Sequence, residues 1–242
     1  MMMQEQIREE AGGGVLSDAS FAGVVDGGWF EPGYWRDRGA LEIQGGGRGG
    51  VAMIDTPAGR CVLRHYHRGG LIGRFNRDRY LWTGAARTRS FAEFRLLAHI
   101  AGLKLPAPEP VAARFRRHGF FYTADLITRR IDDVRTLAQC LADGRLDSDL
   151  ARETGALVAR FHREGVWHAD LNAHNVLVKP EALYLIDFDR GALREPAEAW
   201  RLANLARLRR SLVKLGATER IPDFQAVIWQ PLVYSYERTM GA

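Results

Sequence analysis

Asp170 and Asn175 stand five apart in Trp167-His-Ala-Asp-Leu-Asn-Ala-His-Asn-Val-Leu-Val, and Asp187 follows in Leu185-Ile-Asp-Phe-Asp. Two carboxylates and an amide oxygen can divide the work of phosphoryl transfer. Asn175 and Asp187 can hold Mg2+ through hard oxygen ligands, and Asp170 is left free to orient a hydroxyl nucleophile. A plain polar turn, in which the Asp and Asn merely cap backbone groups, is the structural alternative. Within the same loop His168 reads as a structural hydrogen-bonder, and His174 as a contact to substrate or to metal-side water. Asp189 stands either near a metal or as the first residue of a turn.

The elements that must position these groups are legible around them. Val176-Leu-Val and Leu183-Tyr-Leu-Ile read as two short strands joined by the turn Lys179-Pro-Glu-Ala. Such a hairpin brings Asn175 and Asp187 to one end, with Asp170 beside them. Apolar spacing predicts helices over Leu150–Arg163 and Ala197–Leu215. On the second, Arg201, Arg207, Arg209, Arg210 and Lys214 lie opposite a leucine stripe and read as an ordinary solvated face, the alternative being a basic surface that serves substrate.

Upstream, Leu41-Glu-Ile-Gln, Val51-Ala-Met-Ile and Arg60-Cys-Val-Leu-Arg-His-Tyr form a predicted antiparallel meander, with Thr56-Pro-Ala-Gly59 turning the last pair. Gly45-Gly-Gly-Arg-Gly-Gly50 lies between its first strands and contains G-x-G-x-x-G. Gly45, Gly47 and Gly50 there suit either a hairpin turn or a loop whose N–H groups cover phosphates. Arg64, on the third strand, offers a guanidinium that can pair with phosphate and with a glutamate. Ser90–Ala101 reads as a helix, and its Glu93 is either that partner or the second half of a Ser90-Phe-Ala-Glu93 capping box. Two further strands are expected at Val111–Phe115 and Phe120–Leu126.

The 242 residues, 46% hydrophobic and 26% charged, allow one large domain or two modest lobes with a buried core. No 20–50-residue repeat is visible. No apolar run is long enough to span a bilayer, and the acidic, glycine-containing start is unlike a signal peptide. The expected location is the cytoplasm. Cys61 and Cys140 cannot build a disulfide framework or a metal spacing and read as buried thiols. The division expected is a mobile N-terminus over 1–20, a sheet-rich lobe over 21–125 that covers nucleotide, and a mainly helical lobe over 126–242 that carries catalysis and acceptor binding.

The net charge is +5, and nearly all of the positive charge is arginine. Arg64, Arg68, Arg74, Arg77, Arg79, Arg87 and Arg89 are interleaved with Leu71, Ile72, Phe75, Tyr80, Leu81 and Trp82. That segment fits an anionic membrane surface, or else a solvated connection with its apolar residues packed beneath. No recognisable motif supports a nucleic-acid partner.

The loop and hairpin resemble the protein-kinase-like superfamily, whose catalytic loop reads H-x-D-x-x-x-x-N. The resemblance is closer to the lipopolysaccharide-kinase family. It is carried by Val62-Leu-Arg-His-Tyr-His-Arg-Gly-Gly-Leu-Ile-Gly, Arg89-Ser-Phe-Ala-Glu-Phe-Arg-Leu-Leu, Trp167-His-Ala-Asp-Leu-Asn-Ala-His-Asn and Leu185-Ile-Asp-Phe-Asp-Arg-Gly, and it covers about Trp29 to Leu215. The resemblance implies an α+β, two-lobe kinase-like fold with one helix on an N-terminal antiparallel sheet. It also implies ATP and Mg2+ as cofactors and transfer to the 4-hydroxyl of a 3-deoxy-D-manno-octulosonic acid (Kdo) sugar on lipid A. The enzyme would work at the cytoplasmic face of the inner membrane. Arg64 in place of the usual lysine belongs to that family's pattern.

Several residues depart from protein kinases. Ala169 replaces the arginine that would receive an activation-loop phosphate, and Asp189 replaces the glycine of D-F-G. Few residues separate Asp187 from the Trp200 helix, too few for a peptide-docking segment. A soluble sugar or aminoglycoside kinase of the same fold shares Asp170, Asn175 and Asp187, but has no need of the arginine-rich segment. A non-catalytic nucleotide-binding scaffold would not need all three.

Overall fold

The computed structural model describes residues 4–42, 51–67, 78–195 and 197–242. The chain divides into two compact units, Met1–Gly102 with Pro108–Ile131 and Leu103–Ala107 with Asp132–Ala242. The expected lobe boundary near Leu126 therefore falls inside a strand, and the first unit runs on to Ile131.

The first unit is an antiparallel sheet. Its strands are β1 (Glu5–Glu10), β2 (Gly13–Asp18), β3 (Leu41–Glu42), β4 (Val51–Thr56), β5 (Gly59–His65), β6 (Tyr80–Leu81), β7 (Pro110–His118) and β8 (Phe121–Arg129). They are ordered β1-β2-β7-β8-β5-β4-β3, with β6 paired to β8. Period-2 alternation assigns the two faces. Cys61 and Leu63 of β5 join Ile54, Ile127, Trp29 and Trp35 in one apolar cluster. The short helix α1 (Pro32–Arg36) carries Trp35, whose Nε1–H donates to the Trp29 carbonyl at 2.7 Å. The opposite face of β5 presents Arg64, and α2 (Arg89–Gly102) lies on that side. Its Phe91, Phe94, Leu97 and Ile100 recur at helical spacing and are fully buried.

The N-terminus is not the mobile tail the sequence led us to expect. Residues 5–18 form a hairpin whose second strand pairs with β7. The glycines there serve a turn and a close approach rather than a linker. Gly12 has φ +75°, and a Cβ on Gly13 would run into the Phe115 carbonyl. Two of the three acids of β1 are paired on the surface, Glu5 with Arg95 at 2.9 Å and Glu10 with Arg8 at 3.0 Å.

The second unit is mainly helical. It contains β9 (Arg135–Thr136), α3 (Leu137–Ala142), α4 (Ser148–Arg163), β10 (Val166–Trp167), β11 (Val176–Val178), β12 (Leu183–Leu185), β13 (Ala192–Leu193), α5 (Glu198–Lys214), α6 (Ala217–Arg220) and α7 (Gln230–Gly241). β11 and β12 are the expected hairpin, and β9 adds a third strand to it. Asp147 caps α4 by accepting from the Asp149 and Leu150 N–H groups. Thr136 and Gln139 close a reciprocal capping box on α3. α7 packs so closely on α4 that a Cβ at Gly155 would collide with the Leu232 carbonyl. A π-helical turn, Gln225–Trp229, leads into α7, where Pro231 has no N–H to continue a regular ladder.

Candidate active site

The hairpin fixes the geometry of the loop that carries Asp170 and Asn175. Val176 pairs with Leu185 in antiparallel register, and the Ile186 N–H donates to the Asn175 carbonyl at 3.0 Å. Asp187 is thus one residue beyond the pair formed with Asn175. Its φ of +64° turns the chain out of the strand, and Phe188 enters the core. There the Phe188 ring stacks on Phe161 at 5.7 Å and meets His168 at 4.9 Å.

His168 is the internal post of the loop. Its Nε2–H donates to the Ile186 carbonyl at 2.9 Å, while Nδ1 accepts from the Asp170 N–H at 3.1 Å. Both bonds require the neutral Nε2-protonated ring. Burial pushes its pKa below the ordinary value, against the pull of the Ile186 bond and the Asp187 and Asp170 charges. A ring committed in this way at both nitrogens is a scaffold rather than a proton acceptor.

Asp170 itself is half-exposed. Its Oδ2 accepts from Asn172 Nδ2 at 3.1 Å and its Oδ1 from Arg207 at 3.3 Å. Its carbonyl accepts from both Asn172 Nδ2 and Asn175 Nδ2 at 3.0 Å. With Nδ2 turned to the loop backbone, Asn175 keeps Oδ1 as its acceptor, the atom a hard cation would need. His174 is exposed, and its N–H donates to Asn172 Oδ1 at 2.8 Å.

A face of α5 holds this loop from behind. Asn204, Arg207 and Ser211 recur at helical spacing. Asn204 Nδ2 donates to the His168 carbonyl at 3.0 Å, and Ser211 Oγ accepts from the Ala173 N–H at 3.1 Å. Arg207 is therefore not part of an uncommitted solvated face, because its position on the stripe between Asn204 and Ser211 delivers it to Asp170. Arg209 reaches Gln225 Oε1 at 3.2 Å. Asn204 Oδ1 also accepts from His162 Nε2 at 3.3 Å, and His162 Nδ1 accepts from the Tyr236 hydroxyl at 3.0 Å. Burial pushes the His162 pKa down to about 4.

In the first unit Arg64 Nη2 donates to Glu93 Oε2, and the Tyr66 hydroxyl donates to the same oxygen at 2.5 Å. Arg64 also reaches Tyr66 Oη at 3.2 Å. Ser90 lies inside α2, with its hydroxyl given to the Arg114 carbonyl at 2.9 Å. It is thus not placed to cap the helix in the Ser90–Glu93 box. A second buried pair lies nearby in sequence. Asp125 accepts from Arg114 at 2.8 Å and bonds His65 Nδ1 at 2.6 Å, and this bond raises the His65 pKa.

Sequence reasoning named Asp170, Asn175, Asp187, Arg64 and Glu93, and the structure groups them as a loop–hairpin set in one unit and a strand–helix pair in the other. Gly45, Gly47 and Gly50 lie outside the described residues, as do Arg68, Leu71, Ile72, Arg74, Phe75 and Arg77. Tyr66, Asn172, Asn204 and Ser211 escaped notice as functional candidates, and Arg207 reads from sequence as part of a solvated face. Of these only Asn172 carried a local signal, a side chain two residues after Asp170. Trp82 and Tyr80 do not form an apolar surface. Trp82 packs on Phe115 and Tyr122 at 5.1 and 6.1 Å, and Tyr80 is buried beneath Arg89. Cys61 and Cys140 are buried free thiols, their pKa values raised by burial.

A carboxylate and an amide on a loop stiffened from behind, beside a hairpin ending in a second carboxylate, are the equipment of a phosphotransferase with a hydroxyl acceptor. The model of the lipopolysaccharide kinase (Kdo/WaaP) family matches residues 33–230. The chain belongs to this family. It is 51% identical over 233 residues to a 3-deoxy-D-manno-octulosonic acid kinase of Xanthomonas campestris pv. campestris (strain B100), covering 95% of this chain and 91% of the relative. A 3-deoxy-D-manno-octulosonic acid kinase of Stenotrophomonas maltophilia (strain K279a) is 48% identical over 215 residues, covering 88% and 85%. Among solved structures, WaaP in complex with acyl carrier protein shares the fold at a TM-score of 0.51 and 20% identity, over 82% of this chain and 78% of that one.

Proposed function

We propose that the protein transfers the γ-phosphoryl group of ATP to the 4-hydroxyl of a Kdo residue on lipid A, a step in lipopolysaccharide core assembly. One observation carries the chemistry: Asp170 presents a half-exposed carboxylate whose backbone and both oxygens are held by Asn172, Asn175 and Arg207. The substrate named for the relatives supplies the acceptor.

In this reading each group has a defined task. Asp170 accepts the hydrogen bond of the acceptor hydroxyl and aligns its oxygen on the γ-phosphorus, so that positioning rather than covalent chemistry supplies the acceleration. Arg64, oriented by Glu93 and Tyr66, binds nucleotide phosphate oxygens. Gly45, Gly47 and Gly50 would offer backbone N–H groups to the same phosphates.

Asn175 and Asp187 fit Mg2+. Among the described residues no three His, Cys, Asp or Glu side chains gather as a metal site. A nucleotide-bound Mg2+ needs only one or two protein oxygens, with phosphates and water completing the octahedron. Bound there, it would neutralise charge developing on the phosphates.

The working place proposed is the anionic inner-membrane face. Net charge +5 and the exposed Arg79 and Arg87 support peripheral attachment. No described helix is long and apolar enough to cross a membrane.

Incubation of the purified protein with ATP, MgCl2 and either Kdo-lipid A, free Kdo or neutral sugars, followed by mass spectrometry, tests this reading. One phosphate added to the Kdo of Kdo-lipid A is expected. Phosphate found only on free Kdo or neutral sugars would replace the lipid-linked acceptor with a soluble one.

A further inference from the structure

We infer that Arg207 binds the carboxylate of the acceptor sugar and thereby selects a sugar acid over a neutral sugar. The inference rests on the Kdo acceptor proposed above and deepens it.

Three features of the side chain lead there. First, Arg207 is held in register with the loop. Asn204 and Ser211, on the same stripe of α5, bond the His168 carbonyl and the Ala173 N–H, which brings Arg207 to Asp170 without freedom to slide. Second, its guanidinium is half-exposed, with 47% of the side chain accessible, and sits beside the carboxylate that must receive the acceptor hydroxyl. Third, only Nη1 is engaged, at 3.3 Å from Asp170 Oδ1. Nε and Nη2 have no hydrogen-bond partner among the described residues, so a fork of donors remains for a planar anion.

Supporting Asp170 does not account for this arrangement. Asn172 already holds Oδ2 from within the loop, and an exposed ion pair at this distance adds little stability. The acceptor chemistry does account for it. In Kdo the carboxylate is borne by C2 and the reacting hydroxyl by C4, so the two lie one ring atom apart. A hydroxyl placed on Asp170 therefore brings the carboxylate within reach of the cation touching that same aspartate. A bidentate Arg–carboxylate contact there would orient the ring and reject sugars with no acid at that position.

The test is a cycle between enzyme and acceptor. KM and kcat are measured for Kdo-lipid A and for its Kdo C1-carboxamide, with the parent protein, Arg207→Gln and Arg207→Lys. The parent should show a KM about tenfold or more higher for the carboxamide, the scale of a lost charge-assisted hydrogen bond. Arg207→Gln should raise KM for the carboxylate acceptor by a similar factor and discriminate little between the two. Arg207→Lys should retain part of the discrimination, and KM for ATP should stay unchanged throughout. If Arg207→Gln loses the same factor on both acceptors, Arg207 acts only through Asp170 or the phosphoryl group, and the inference falls while the kinase reading stands. If the parent phosphorylates no Kdo acceptor, the proposed function falls first and takes this inference with it.

Discussion

Asn204 accepts from His162 Nε2 at 3.3 Å through Oδ1 and donates to the His168 carbonyl at 3.0 Å through Nδ2, so one buried amide ties α4 and α5 to the Asp170 loop. The loop is thus located by the interior of its own unit rather than by surface contacts. Asn204→Leu keeps the volume roughly constant but leaves the His168 carbonyl and the His162 N–H buried without these partners. Two such losses should cost about 2–5 kcal/mol, read as a lower urea midpoint. The kcat of the surviving folded enzyme should fall as Asp170 loses its fixed place.

The same network predicts an acid limb in stability. His162 is almost fully buried and titrates near 4 in the folded protein, against 6.5 ordinarily. Between those values the unfolded chain binds a proton that the native state refuses, so stability rises with pH there. The contribution is complete above about pH 6.5 and is lost as pH falls toward 4, amounting to about 3 kcal/mol at most. His168, shifted in the same direction, adds to it. Urea unfolding of the parent and His162→Gln at pH 5 and pH 7.5 checks this. The variant should be less stable at both values but should lose less between them.

Much of the site was readable because it is local. His168, Asp170, Asn175 and Asp187 lie within one loop and one hairpin, and strand–turn–strand alternation over Val176–Ile186 suffices to bring the last two together. The meander and α2 were legible for the same reason. Long-range contacts carried no such signal. Asn204 and Arg207 reach the loop across 36 and 37 residues, and on a helix rich in leucine and arginine they look like ordinary members of a polar face. β9, β10 and β13 are two residues each, too short for any period. The N-terminal hairpin was hidden because Gly12–Gly14 looks like a linker until Phe115 is known to lie against it.

Arg64 is not a stand-in for lysine. Its Nη2 serves Glu93 and Tyr66 while its face lies 4.9 Å from the Tyr66 ring centroid. Lysine is a compact point charge with no planar face, and it does not stack as a guanidinium does. Arg64→Lys should therefore lower kcat/KM for ATP by about tenfold or more, measured in steady-state assays with acceptor saturating. Unchanged or higher kcat/KM would show that the guanidinium contact is not needed.

Asp187→Asn removes charge from the strand end beside Asn175 while retaining an oxygen. Nucleotide binding in the presence of Mg2+ should weaken more than binding in EDTA, because the lost charge acts mainly on the ion. Titration calorimetry under both conditions measures the difference. Equal loss in the two conditions would place Asp187 outside the metal shell.

The central claim is that Asp170 orients the hydroxyl that receives phosphate. The most direct measurement is kcat of Asp170→Ala with Kdo-lipid A, alongside its Kd for ATP. The account predicts a fall in kcat of about 10²–10⁴-fold with ATP affinity nearly intact, since the residue acts on the acceptor and not on the nucleotide. Near-normal turnover by Asp170→Ala would contradict it.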